Sequence, residues 1–189
     1  MTDEHDVADL VRAARDGDQA AWDALVDRYA GLVWSVVRGY RLASDDASDV
    51  FQTAWLRLVE QLPRLREPER VGAWLATTAR HECLRVLKSR TRETATDTDV
   101  LDLRTDDDSA PPGSDLLRAE RDSVLWQCFE ASSGPCRQLL GVLIADPPLS
   151  YLQVAETLGM PVGSIGPTRR RCLERLRRQL VEAGVDAEA

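Results

Sequence analysis

Six arginines stand between residues 161 and 180, at positions 169, 170, 171, 175, 177 and 178, against the single acid Glu174. A guanidinium presents a fixed fork of donors that suits phosphate oxygens and guanine edges. On a helical wheel stepped at about 100° per residue, Arg170, Arg171, Arg177 and Arg178 share a side with Pro167 and Glu174. Ile165, Cys172, Leu173, Leu176 and Leu180 take the other side, and Arg169 falls close to them. The residues just before supply the support such a helix needs. Ala155 is small, Gly159 offers a left-handed turn four positions on, and Ile165 can plug the gap between two helices. Val154, Leu158 and Met160 complete the apolar face. The pattern predicts helix, glycine turn, helix, the shape that enters a DNA major groove. Ser150 and Ser164 are the expected caps of the two helices, and Pro167 is expected in the first turn of the second. Pro167, Arg170, Arg171 and Arg177 are therefore candidate DNA contacts, with Ser164 counted beside them at the helix start.

A second constellation combines an aromatic ring with basic groups. Trp74, His81, Arg85, Lys88 and Arg92 lie within about 60° of one another on a wheel, with Thr77 adjoining. A basic stripe can follow a phosphate backbone while an aromatic ring supports an unstacked base. Trp74 fits a core position equally well. The preceding segment, 65–71, could wall a base pocket. The third constellation is Asp45, Asp49, Gln52 and Leu56, on the side of its helix opposite Ala47, Val50, Phe51, Ala54, Trp55, Leu58, Val59 and Leu62. A leucine among two acids and an amide suggests a docking surface for a partner, although single exposed leucines are ordinary.

Catalytic and metal chemistry find little support. The acids cluster in a low-complexity stretch, and only two histidines are present, His5 and His81. Metal-assisted hydrolysis or nucleophilic catalysis would need a tighter set. Cys83, Cys128, Cys136 and Cys172 show no zinc spacing, so four reduced, mostly buried thiols are expected and no cofactor or metal.

The elements that must carry these residues are helical. Glycine is sparse and β-branched runs are short. In the first segment, Val7, Leu10, Val11 and Ala14 recur at helical spacing, then Trp22, Leu25, Val26, Tyr29 and Val33 with Asp18 as a cap. A third helix is predicted from Ser44 to Pro63 and a fourth from about Pro68 to Arg90. The second segment predicts helices near 116–130, 134–145, 151–158 and 164–181, with Pro147 and Pro148 breaking the chain before the motif. Residues 93–115 carry eight acids against Arg104 and are rich in Pro, Ser and Thr, so they read as a flexible acidic linker. The expectation is an all-α chain with two small helical domains, 1–92 and 116–181, the second containing the helix-turn-helix. A net charge of −8 over 189 residues excludes unselective nucleic-acid coating. No apolar run reaches the ~18 residues of a membrane span. The acidic N-terminus lacks a signal-peptide pattern, and a cytoplasmic protein is expected.

Three stretches in this order resemble the extracytoplasmic-function (ECF) sigma factors of bacterial RNA polymerase. Residues 46–58 resemble the helix that docks on the polymerase clamp, 68–87 the helix that melts and reads the −10 promoter element, and 150–178 the −35-reading helix-turn-helix. The resemblance implies no catalytic activity, core RNA polymerase and promoter DNA as partners, and an anti-sigma protein as a further one. It assigns Asp49 and Gln52 to polymerase contact, with Asp45 and Leu56 beside them. It assigns Trp74, Thr77, His81 and Arg85 to the −10 element, and Gly166, Pro167, Arg170 and Arg171 to the −35 element. The chain departs from the family at His81, where asparagine is common, and at Gly166-Pro167, where a basic-polar pair is frequent. It departs also at Arg169, usually aliphatic, and at Thr53-Ala54, where acids are more usual. The alternative reading is a stand-alone helix-turn-helix regulator, which leaves the Asp49/Gln52/Leu56 patch and the Trp74 stripe without a role.

Overall fold

Asp18 starts the longest apolar helix of the first segment. Its carboxylate accepts from the amides of Ala20 and Ala21 at 2.9 and 3.2 Å, satisfying two donors that a helix start leaves bare. In the computed structural model, which describes residues 2–94 and 116–185, four helices precede the undescribed stretch: α1 (Thr2–Arg15), α2 (Gln19–Arg38), α3 (Ser44–Gln61) and α4 (Val71–Thr94). Short 3₁₀ turns at Leu62–Arg64 and Pro68–Arg70 reverse the chain between α3 and α4, each with a proline where its missing N–H costs nothing. Four more helices follow: α5 (Leu116–Ala131), α6 (Gly134–Ile144), α7 (Tyr151–Leu158) and α8 (Val162–Glu182). Residues 95–115, nearly all of the expected linker, lie outside the described residues.

The main core is built from α2, α3 and α4. Leu25, Leu32, Val33, Leu58 and Leu75 are fully buried. Trp22, Phe51 and Trp55 meet edge to face, and Trp34 stacks on Phe51 at 4.7 Å between centroids. Val59, placed on the core face by the wheel, is 53% exposed. It lies at the edge of the apolar stripe, beyond the reach of α4. The same core continues into the second segment through Leu139, Val142, Val154, Ala155 and Ile165. α6 lies on α2 and α7 on α4. The approach is close at Gly141, where a Cβ would stand 3.0 Å from the Ser35 carbonyl oxygen. A smaller cluster of Cys128, Phe129, Cys136, Leu140, Cys172 and Leu176 joins α5, α6 and α8.

The helix-turn-helix forms as its spacing predicts in α7 and the turn. Ser150 and Gln153 make a reciprocal capping box, and Gly159 takes φ 66°, the left-handed conformation that only glycine adopts freely. Two expectations for α8 are corrected. The helix opens at Val162 behind Pro161, and Ser164 makes no cap. The Ser164 hydroxyl instead donates to the Pro161 carbonyl at 2.7 Å. Pro167 therefore stands inside the helix, past the first turn, where its ring withholds the N–H that Gly163 would otherwise bond. Leu173, assigned to the apolar side, is 43% exposed because α5 and α6 cover only the Cys172 and Leu176 edge.

The cysteine expectation is overturned. Cys136 and Cys172 form a disulfide, while Cys83 and Cys128 are buried free thiols. A sequence separation of 36 hid the bonded pair; packing α6 on α8 brings their Cα atoms to 5.4 Å.

Candidate nucleic-acid and partner-docking surfaces

Helix α4 divides two concave surfaces. On one side, α3 and α4 enclose a groove of about 250 Å³ lined by Asp49, Gln52, Thr53, Leu56, Glu82 and Arg85. Asp45, Asp49, Gln52 and Leu56 are all exposed, Leu56 at 63%. Their 3.6-residue spacing along α3 sets them in one row, and α4 supplies the facing wall. Arg85 belongs to this groove and stands apart from Trp74. Its Nε donates to the largely buried Glu82 carboxylate at 2.6 Å. Arg57 approaches the same carboxylate at 3.8 Å, and Arg90 pairs with Asp46 at the groove's end.

On the other side, a pocket of about 320 Å³ is lined by Leu65, Arg66, Arg70, Trp74, Thr77 and, from α7, Glu156. The segment 65–70 forms one wall, as its position before α4 suggested. Trp74 is half-buried at the pocket's base, so it both seals the core edge and shows a ring face. The pocket is closed by charge. Arg70 bonds Glu67 at 2.8 Å and pairs with Glu156 across the helices. The hydrogen bond it donates to Glu67 and the charge of Glu156 push its guanidinium above the ordinary range. Beside it, the Thr77 hydroxyl donates to that of Thr157 at 3.4 Å. Sequence reasoning missed Glu156, because nothing in a linear pattern brings α7 onto α4. His81 and Lys88 are exposed further along α4, away from the pocket.

The third surface is the open face of α8. Gly166, Pro167, Arg170, Arg171 and Arg177 are exposed, and nothing lies within 4 Å of a Cβ built on Gly166. Arg170 reaches Glu174 at 3.9 Å, and Arg171 donates to Thr168 at 3.1 Å. These are loose surface contacts of little energy, so the guanidiniums are free to be redirected. Arg169 is exposed and reaches the Tyr151 hydroxyl at 3.4 Å.

Comparison with known proteins agrees with this layout. The family model for Sigma-70 region 2 matches residues 25–93, the span from α2 to the end of α4. The ECF RNA polymerase sigma-E factor of Escherichia coli strain K12 is 26% identical over 163 residues, covering 82% of this chain and 84% of that protein. Over most of its length the chain is similar to ECF sigma factors. A shorter match, 33% identity over 61 residues, links it to the RNA polymerase sigma-F factor of Priestia megaterium, across 32% of this chain and 24% of that one. Two solved structures share the fold. The sigma factor RpoE from Bartonella quintana, in complex with the anti-sigma factor NepR, superposes with a TM-score of 0.62 at 23% identity, over 79% of this chain and 92% of that one. CnrH, in complex with the cytosolic domain of CnrY, gives 0.60 at 17% identity over 94% and 98%. Among the described residues, no helix is long and apolar enough to cross a membrane.

Proposed function

We propose that this sigma factor binds core RNA polymerase through the α3/α4 groove and directs it to promoters whose −10 and −35 elements it contacts with α4 and α8. The observation that carries this reading is the division made by α4. One helix walls a docking groove with Asp49, Gln52 and Leu56 on one side and an aromatic, basic pocket at Trp74, Thr77 and Arg70 on the other. A protein held to polymerase by the first surface presents the second to the opened strand. A flipped base entering the pocket costs a few kcal/mol of unstacking. Stacking on Trp74 and the charge of Arg70 offset that cost. His81 and Lys88 continue the track along the phosphates. Ser164, Gly166, Pro167, Arg170, Arg171 and Arg177 face duplex DNA at −35. Gly166 and Pro167 have no reaching side chain, so readout there rests on backbone approach and DNA shape. The arginines supply phosphate and guanine contacts.

Catalysis in this scheme belongs to polymerase, and the site of action is the cytoplasm. Two weak footholds on one particle become an avid one. Glu156 occupies the mouth of the base pocket, so α7 must leave α4 before a strand enters. The acidic segment 93–115 either threads a basic channel of polymerase or repels DNA from the free protein. Deleting residues 97–110 and comparing promoter binding by the free protein and by holoenzyme separates these two roles. Because the solved RpoE relative carries an anti-sigma partner, we extend such a partner to this chain. The test of the docking surface is co-purification with core polymerase. Wild-type protein is retained, and Asp49→Ala/Gln52→Ala weakens retention roughly tenfold. Sequence-specific duplex binding as a dimer, with no affinity for polymerase, would instead establish a stand-alone regulator.

A further inference from the structure

We infer that the Cys136–Cys172 bridge is a thiol–disulfide exchange site through which a dithiol reductant loosens the DNA-reading helix. Cys136 stands in the first turn of α6 and Cys172 in the middle of α8. The loop they close contains the whole helix-turn-helix up to Arg170 and Arg171. The far face of α6 is seated on α2 at Gly141 and Ser35, so the bridge ties α8 to the body of the molecule.

The small cluster around the bridge shows why it matters there. Three of its six buried side chains are cysteines. Sulfur atoms fill little volume, and a small core of this kind relies on a covalent staple. The first half of α8 is a poor helix by itself, with Gly163, Gly166 and Pro167. It is held by tertiary anchors on its inner side, chiefly Ile165 and Cys172, which are 0% and 2% exposed. Removing the bond at the second anchor frees the segment that carries the arginines. Disulfides inside cells are uncommon and serve mostly as transient or sensing bonds, and the proposed work with polymerase places this one inside the cell.

The exchange balances simply. A thiolate of the reductant attacks one sulfur of the bridge. A mixed disulfide forms, and the other cysteine leaves as a thiolate that takes up a proton. The second thiol of the reductant then displaces the first cysteine. Two electrons and two protons pass to the protein, and the reductant departs as its own disulfide. Both sulfurs are buried, so local opening of α5 or α8 precedes attack, and the rate follows that opening.

The duplex readout rests on the −35 role proposed for α8; the stability readout does not. The full-length protein is equilibrated in dithiothreitol at graded ratios of thiol to disulfide and alkylated, and the modified cysteines are mapped by mass spectrometry. Unfolding midpoint and affinity for a −35 duplex are measured on the same samples, the duplex with holoenzyme. Reduction is expected to expose two additional thiols, Cys136 and Cys172. It should lower the unfolding midpoint by roughly 10 °C and weaken duplex binding roughly tenfold, as when a helix must be ordered on binding. Cys136→Ala/Cys172→Ala should behave as the reduced form in either buffer. Cys128→Ala, which leaves the bridge intact, should keep the full response. Equal midpoints for the oxidised and reduced protein, or no bridge in the oxidised sample, overturns the inference. A shifted midpoint with no duplex binding in either state keeps the staple and rejects the −35 role.

Discussion

Glu156 is the residue whose position says most about the free protein, because it sets a carboxylate against Arg70 at the pocket beside Trp74. An exposed pair of this kind is screened by solvent and contributes little. Glu156→Gln should therefore raise affinity of the free protein for a single-stranded −10 oligonucleotide by roughly twofold to fivefold, read by fluorescence anisotropy at low salt. Unchanged affinity would show that the pair does not guard the pocket. Cys83 supplies a separate check on the core. Burial, with the nearby charge of Glu82 adding to it, pushes its thiol from 9.0 up to about 12. The folded state therefore holds the proton that the unfolded state releases. This contribution to stability is fully present below about pH 9 and is lost as pH rises toward 12. Urea midpoints taken at pH 7, 9 and 10.5 should fall, and Cys83→Ala should flatten the decline. At this scale the sequence made Ala155, Gly159 and Ile165 legible, because the turn constrains each one locally. It hid Glu156 and the Cys136–Cys172 bond, since both depend on helices far apart in the chain.

The elements were legible where a side chain fixes the end of a helix. Asp18 before α2 and Ser150 before α7 cap their helices as their chemistry suggested, whereas α3 begins at Ser44 with no side-chain cap. The start of α8 was misread because Ser164 looks like a cap, while Pro161 sets the turn two residues before that helix's second residue. The wheel also assigned Val59 and Leu173 to buried faces, since periodicity gives a direction and not the width of the neighbour. The closest helix approach in the first segment gives a direct test. A Cβ on Gly72 would stand 2.6 Å from the Tyr29 ring, so Gly72→Ala should cost about 1–3 kcal/mol, measured by chemical denaturation. Gly163→Ala meets nothing within 4 Å and should be neutral or stabilising by up to about 1 kcal/mol. On α8, Arg170→Ala or Arg171→Ala should weaken holoenzyme binding to a −35 duplex by about 1–3 kcal/mol if it contacts a base. If it contacts only phosphate, the salt slope should drop by about one and the sequence preference should stay.

For the whole molecule, charge and architecture point the same way. A chain of net charge −8 repels DNA over most of its surface, and the proposed contacts fall where Lys88 and the α8 arginines are exposed. The main core runs from Leu25 through Leu58 and Leu75 to Val142 and Ile165. The two helical segments are thus seated together, with the base pocket covered by α7. Two domains could be read from the composition shift at 93–115, but their mutual packing could not, because the residues that make it are ordinary core residues of each half. The most direct measurement is run-off transcription with core RNA polymerase and this protein on a genomic library. The sigma-factor account expects RNA chains from a defined set of templates that share −10 and −35 sequences. It also expects that output to be lost with Asp49→Ala/Gln52→Ala. Failure to associate with polymerase, or the same unselective background with and without the protein, would contradict it.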